Sequence, residues 1–333
     1  MEQAKQSQDP VGSGAAAAAS RLVSIVVPVL NEQAAIAPFM GQIHRVLDLL
    51  APEHRFEVVF VNDGSTDGTE FVVRSLMITD NTVRLVNLSR NFGKDAALCA
   101  GLEHAVGEAV VPMDVDLQDC PDVLPEMIAK WRRGAKVVNA RRTDRSSDTW
   151  LKRTSAQLFY RAFNALADQS IPADVGDYRL LDRQVVDVIL TLGERARFNK
   201  ALFSWVGFET DEVTFERAAR KTGQTAWSYW KLWNFALDGI FSSTTKPLRI
   251  WSYLGSLIAL SAFAYAAFIF IHTLVTGAAT PGYASTVILI LFFGGLNLLA
   301  IGIVGEYVGR ILTEVRERPL YIVRSVHGAE ERT

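Results

Sequence analysis

The sequence predicts an α/β fold: a doubly wound parallel sheet joined to a C-terminal transmembrane helical hairpin. Three observations carry this. Short β-branched runs alternate with helical patterns over residues 22–140, polar clusters follow four of those runs, and a charge-free apolar stretch fills residues 251–305. Strand–helix alternation implies parallel neighbours, because each crossover helix returns the chain to the same edge of the sheet. Apolar character on all faces, over two span lengths, marks helices that cross a bilayer.

In chain order, the first twenty residues are rich in Gln, Ser, Gly and Ala and carry almost no large apolar side chain. A disordered arm is expected over 1–20. Gly12-Ser13-Gly14 precedes the first strand instead of following it, so it is no dinucleotide fingerprint. Leu22–Val29, Phe56–Val61, Val83–Leu88, Ala109–Met113 and Lys136–Asn139 read as strands, with helices over Glu32–Leu50 and Gly93–Ala105. The α/β domain is expected over 21–225, amphipathic interfacial helices over 226–249, the hairpin over 250–306 and a cytoplasmic tail over 307–333.

Composition excludes some partners. Lys plus Arg number 34 against 36 Asp plus Glu, and a net charge of −2 gives no general attraction for nucleic acid. Any bound anion needs a local cluster. The two cysteines, Cys99 and Cys120, lack metal spacing and are expected as small packing residues in a reducing compartment.

From Trp251 to Gly305 there is no Asp, Glu, Lys or Arg, and the stretch breaks at Thr276-Gly277-Ala278-Ala279-Thr280-Pro281-Gly282. Helices are expected over Trp251–Val275 and Tyr283–Val304, with Trp251, Tyr253 and Tyr283 as interfacial aromatics. Lys246 and Arg249 precede the first helix; Arg310, Arg316 and Arg318 follow the second. Positive-inside bias therefore places both termini and the α/β domain in the cytoplasm. Upstream, Trp227 to Phe241 interleaves Trp227, Tyr229, Trp230, Trp233, Phe235 and Leu237 with Lys231, Asn234 and Asp238. That pattern fits a helix lying in the interface, or an ordinary helix at a domain edge.

In doubly wound sheets, ligands bind beyond the carboxyl ends of the strands. After the first strand comes Pro28-Val29-Leu30-Asn31-Glu32, where Asn31 is placed to cap a helix. Asn62-Asp63-Gly64-Ser65-Thr66-Asp67-Gly68-Thr69 follows the second, Ser89-Arg90-Asn91-Phe92-Gly93-Lys94 the third, and Asp114-Val115-Asp116-Leu117-Gln118-Asp119 the fourth. Taken singly, each cluster is an ordinary turn or a solvated acidic loop. Four on one sheet edge form a site. Asp114 and Asp116 can share one hard cation, with Gln118 as a neutral oxygen ligand. Such a cation neutralises charge on a departing diphosphate. Asp63 is placed to accept a hydrogen bond from a base edge, with Glu32 or Pro28 lining the same pocket.

These clusters, with Gly176-Asp177-Tyr178-Arg179, Phe203-Ser204-Trp205-Val206-Gly207, Phe235-Ala236-Leu237-Asp238 and Gly302-Ile303-Val304-Gly305-Glu306-Tyr307, cover nearly the whole chain after residue 21. Together they resemble the inverting glycosyltransferases of family 2, in particular the bacterial polyprenyl-phosphate (bactoprenol) glucosyltransferases, relatives of dolichol-phosphate mannose synthase. The resemblance implies a GT-A catalytic domain at the bacterial inner membrane. It implies a UDP-sugar donor, most often UDP-glucose, and undecaprenyl phosphate as acceptor. It assigns Pro28, Leu30, Glu32, Asp63, Lys94 and Asp114 to the nucleotide, and Asp114, Asp116 and Gln118 to Mg²⁺ or Mn²⁺ and the diphosphate. Val115 stands where the family usually has Ala, and Cys120 where Pro is common; neither removes a ligand.

A polyprenyl phosphate needs a cationic pocket, since the planar fork of arginine gives phosphate two hydrogen bonds at once. Arg142, Arg153 and Arg220 are selected from Arg141, Arg142, Lys152, Arg153, Arg217, Arg220 and Lys221. Asp177, with Asp116, is the expected catalytic carboxylate, and Asp174 and Asp182 are rivals for its role as base. A homo-oligomer is expected, as for many membrane enzymes with few helices. A processive polysaccharide synthase would carry Q-x-x-R-W, which Gln224-Thr225-Ala226-Trp227 does not match. A non-catalytic membrane scaffold that binds nucleotide would have no use for paired carboxylates.

Overall fold

The structure, a computed structural model of the chain, describes residues 20–51, 53–142, 175–194, 199–215, 244, 246–276 and 282–328. The expected alternation is present: β1 (Arg21–Val29), α1 (Gln33–Leu50), β2 (His54–Asn62), α2 (Thr69–Thr79), β3 (Val83–Leu88), α3 (Lys94–His104), β4 (Ala109–Pro112), α4 (Leu124–Arg132) and β5 (Val137–Arg142). Then follow β6 (Val175–Asp182), α5 (Arg183–Thr191), α6 (Asn199–Trp205), β7 (Thr210–Phe215), α7 (Lys246–Thr276), α8 (Tyr283–Val315) and β8 (Val323–His327).

The strands form one sheet in the order β7-β5-β6-β4-β1-β2-β3-β8. Its centre, β4-β1-β2-β3, is parallel as expected. The strands expected from the sequence, β1 to β5, all point the same way, and the sheet becomes mixed through two later strands: β6 runs antiparallel to β4 and β5, and β8 antiparallel to β3. Parallel pairing is enforced where a crossover helix joins neighbouring strands. β8 is reached through α8 instead, and is free of that rule.

Both faces of the central strands are covered. Val23, Ile25, Val27 and Val29 pack with Phe39 and Ile43 of α1 and Met127 and Trp131 of α4. Val26 turns the other way, with Val59, Val61 and Val86, against α3 and α5. This is why the strands read as unbroken apolar runs. Gly101 lets α3 lie close: a Cβ there would stand 2.2 Å from Val26 Cγ1.

At the amino-terminal side of the same strands lies a buried polar cluster. Arg84 Nη1 donates to Glu57 Oε2 at 2.7 Å, the Val106 N–H donates to Glu57 Oε1 at 2.7 Å, and the Ser24 hydroxyl donates to Glu57 Oε1. The Gly107 N–H donates to Ser24 Oγ at 2.8 Å. The cluster joins β1, β2, β3 and the entry to β4 at the end opposite the loops described below.

α7 and α8 are each long and apolar enough to cross a membrane, and their best windows, Leu248–Tyr265 and Phe292–Val315, are unburied. Leu257, Leu260, Phe263, Phe268, Leu298 and Ile301 face outward, the reverse of a soluble core helix. Both helices outrun their expected bounds. α8 continues to Val315 through residues expected within the tail, helped by Arg310 Nη2 donating to Glu306 Oε1 one turn back at 2.9 Å. The chain then bends at Glu317 (φ 48°) and delivers β8 to the sheet. The expected arm other than Ser20, and the interfacial segment other than its C-terminal stretch 244 and 246–249, lie outside the described residues.

Candidate active site

Two loops at the carboxyl edge are laced together. Asn31 has a left-handed backbone (φ 55°), and its Oδ1 accepts the Thr66 N–H at 2.8 Å. It therefore does not cap α1, whose cap position is held by Glu32 without a side-chain bond. The opening amides of α1 are met from the second loop: the Glu32 N–H donates to Thr69 Oγ1 at 2.9 Å and the Gln33 N–H to Asp67 Oδ2 at 3.4 Å. Asp67 Oδ1 also accepts the Thr69 N–H at 3.0 Å, so one carboxylate serves the starts of α1 and α2.

The loop after β3 joins them through Asp63. Its two carboxylate oxygens accept the N–H groups of Phe92 at 2.7 Å and Gly93 at 2.9 Å, and it is 3% exposed. Burial raises its pKa, opposed by those two donors. Asp63, expected at a base edge, also pins two loops in the structure. Gly64 makes that approach possible, with φ 73° and a would-be Cβ 2.6 Å from both Arg90 C and Asn91 N. Gly64→Ala should cost about 1–2 kcal/mol from the backbone conformation alone, plus the clash. Urea unfolding of the purified variant would read the loss; unchanged stability would show that the loops part freely.

The fourth loop carries the acids. Lys94 Nζ, at the start of α3, lies 2.7 Å from Asp114 Oδ1 and 3.1 Å from Asp177 Oδ2 of β6. Burial works against its charge, but Asp114 and Asp177 outweigh that and hold its pKa well above the ordinary lysine range. The Asp114 N–H donates to Asp119 Oδ2 at 3.1 Å, and the Gln118 N–H donates to Asp116 Oδ1 at 3.1 Å across Leu117 (φ 59°). Pro28, Lys94, Leu98, Asp114, Asp119 and Asp177 line one shallow cleft.

The cleft thus gathers Pro28, Lys94, Asp114 and Asp177 from the expected set. Asp116 and Gln118 stay on the same loop without lining it, Leu30 is exposed at its strand end, and Glu32 is half-buried at the start of α1. Arg142 closes β5, half-buried; Arg153, Arg220 and Asp174 lie outside the described residues. Asp182 is occupied elsewhere: it caps α5 by accepting the Gln184 N–H at 3.0 Å and accepts Trp131 Nε1–H at 2.8 Å.

The donor set fits a hard cation. Carboxylate oxygens already surround one positive charge, the Lys94 ammonium, and Asp114 and Asp116 offer the oxygen ligands that Mg²⁺ and Mn²⁺ prefer. Among the described residues, no three His, Cys, Asp or Glu side chains close on one point. Phosphate oxygens and water would therefore complete the shell.

Three contributors were missed. Asp119 steadies Asp114. Tyr178, buried against Phe215, donates its hydroxyl to the Cys120 carbonyl at 2.9 Å and ties β6 to the acidic loop. Arg179 is buried beside Asp177 with its guanidinium 4.2 Å over the Phe203 ring; burial pulls its pKa down to about 10, against the pull of Asp177. Alternation along Gly176–Asp182 was the available signal, since it turns Asp177 to one face and Tyr178 to the other.

The profile of the family described as Glycosyl transferase family 2 matches residues 24–190, and that of the GtrB C-terminal hairpin matches 246–311. The chain belongs to glycosyl transferase family 2. The transferase is 47% identical over 305 residues to the SfII prophage-derived bactoprenol glucosyl transferase of Shigella flexneri, covering 92% of this chain and 98% of that one. It is 46% identical over 304 residues to the prophage bactoprenol glucosyl transferase homolog of Escherichia coli K12, covering 91% and 99%. A mannosyltransferase of Pyrobaculum calidifontis, solved with GDP-Man and Mn²⁺, overlays with TM-score 0.45 at 19% identity over 90% of this chain and 87% of that one. The transferase therefore pairs a GT-A-like mixed sheet with a membrane-associating hairpin.

Proposed function

We propose that this protein transfers glucose from UDP-glucose to a polyprenyl phosphate, undecaprenyl phosphate in a bacterium, at the cytoplasmic face of the inner membrane. One observation carries the reading. Relatives of that printed name match both the sheet domain and the hairpin, while the cleft presents Asp114, Asp177 and Lys94 together.

In this reading the labour divides as follows. Pro28, Leu30, Glu32 and Asp63 belong to the laced loops that receive the nucleotide. Asp114, Asp116 and Gln118 face the diphosphate, and Lys94 adds a fixed positive charge beside it. Mg²⁺ or Mn²⁺ held there supplies charge neutralisation for the leaving group. The acceptor phosphate, with a second pKa near ~6, is mostly dianionic at neutral pH and needs little help from a base. Its oxygen attacks the anomeric carbon; the bond to UDP breaks, UDP keeps the electron pair, and the configuration inverts. Asp177, fixed by Lys94, orients the attacking phosphate, which Arg142, Arg153 and Arg220 hold.

The hairpin crosses the membrane twice in this reading. β8 lies after α8 yet pairs with β3, so both ends of the hairpin return to the side of the sheet. Lys246, Arg249, Arg310, Arg316 and Arg318 at those ends mark that side as cytoplasmic.

The test is transfer by the detergent-purified protein with undecaprenyl phosphate, Mg²⁺ and a panel of labelled nucleotide-sugars. Label from UDP-glucose should enter the organic phase. Label from another donor would correct the sugar, and none from any donor would remove the lipid-acceptor reading.

A further inference from the structure

Three polar residues stand side by side in consecutive strands. Asn62 of β2 is in register with Asn87 of β3, and Asn87 with Ser325 of β8. Asn62 and Asn87 are 2% and 0% exposed, and their neighbours along the strands, Val61, Val86 and Leu88, are buried apolar residues. Asparagine is disfavoured in strands, and a buried amide left unbonded is costly, so two in register need an account.

Their hydrogen bonds run in one direction. Asn87 Nδ2 donates to Ser325 Oγ at 3.1 Å and to Glu70 Oε1 at 3.3 Å. Asn87 Oδ1 accepts from Asn62 Nδ2 at 2.9 Å, and Asn62 Oδ1 accepts the Ser65 N–H at 3.0 Å. Ser65 Oγ in turn accepts the Asn31 N–H at 3.0 Å. Each amide is used on both its oxygen and its nitrogen side, so reversing one reverses the next. The run begins on the strand beyond the membrane hairpin and ends on the loops after β1 and β2.

We propose that Ser325 is a positioning residue for the donor loop 63–68, acting through Asn87 and Asn62. This rests on the reading of that loop as the nucleotide site. Holding β8 on the sheet does not depend on the Ser325 hydroxyl. The strand is attached by its backbone pairing with β3, and Arg324 Nη2 donates to Glu70 Oε2 at 2.5 Å. The hydroxyl instead reaches inward to Asn87, and outward to His327 Nε2 at 3.1 Å. Without it, the Asn87 amide nitrogen keeps only the longer contact to Glu70, so the orientation of the amide is less firmly set, and with it that of Asn62, whose oxygen orders Ser65.

The experiment compares full-length wild type, Ser325→Ala and Ser325→Thr in detergent. UDP affinity is measured by calorimetry, KM for UDP-glucose and for the lipid by transfer, and melting temperature alongside. Ser325→Ala should weaken UDP binding and raise the donor KM by about five-fold, the scale of one hydrogen bond. The lipid KM and melting temperature should stay at wild-type values, and Ser325→Thr, which keeps the hydroxyl, should restore the donor. Unchanged UDP affinity in Ser325→Ala overturns the proposal, as does a parallel rise of both KM values with a lowered melting temperature. Should wild type transfer no glucose to lipid, the functional reading fails, while the UDP affinities still decide the role of Ser325.

Discussion

Asp114→Asn should lower kcat/KM for glucosyl transfer by roughly a thousand-fold, the scale seen when one group that stabilises departing charge is removed. The side chain stands directly after β4, its backbone steadied by Asp119 and its carboxylate 2.7 Å from Lys94. The amide keeps the shape and removes the charge. Lys94 is then left with Asp177 as its carboxylate partner, and in the proposed reading the cation exchanges an anionic oxygen ligand for a neutral one at the diphosphate. Urea unfolding should change little, because Asp114 is only half-buried and the exchange is isosteric. The decisive readout is the gain in UDP affinity on adding Mn²⁺, which should vanish in the variant. A gain that persists would place the cation away from Asp114.

Glu57→Leu should have the largest effect on stability, about 3–5 kcal/mol by urea unfolding. It strands Arg84 in the interior and deprives the Ser24 hydroxyl and the Val106 N–H of their acceptor. Adding Arg84→Met should recover much of the loss, since an apolar pair of similar volume needs no compensation. The cluster lies at the end of the strands opposite the cleft. Below the melting transition, the donor KM of Glu57→Leu should therefore stay within a factor of two of wild type. A stability loss under ~1 kcal/mol would mean that water reaches Arg84.

The parts of the fold set by local pattern were legible. β-branched runs and amphipathic periods placed β1 to β4 and α1, α3 within two residues of their ends, and β5 within three. The charge-free stretch revealed α7 and α8, because two apolar runs of span length parted by a Gly/Pro break are legible from composition alone. Lys94, Asp114 and Asp177 were nominated from sequence, and the structure puts them in contact. Illegible were features decided by long-range partners. The direction of β6 and the existence of β8 depend on which edge a returning strand meets, and nothing in Val323–His327 announces β3. Asn31 has the composition of a cap, but Thr66, far along the chain, claims its oxygen. Asp63 looked like a ligand residue, and burial against two backbone amides makes it a brace as well. Asn62 and Asn87 could have been noticed, since strand ends carrying Asn at matched register are uncommon.

The attachment of β8 also bears on how the molecule is made. Synthesis runs from the N-terminus, so β3 emerges long before its partner, with both apolar helices between them. Throughout that interval the outer N–H and C=O groups of β3 are open, a template for any passing strand. Only a nascent chain whose last segment has been made and has come back to the sheet can shield that edge from within. Covering it thus waits for the end of synthesis: a polypeptide cut short after α8 would display an unpaired border to chaperones and proteases.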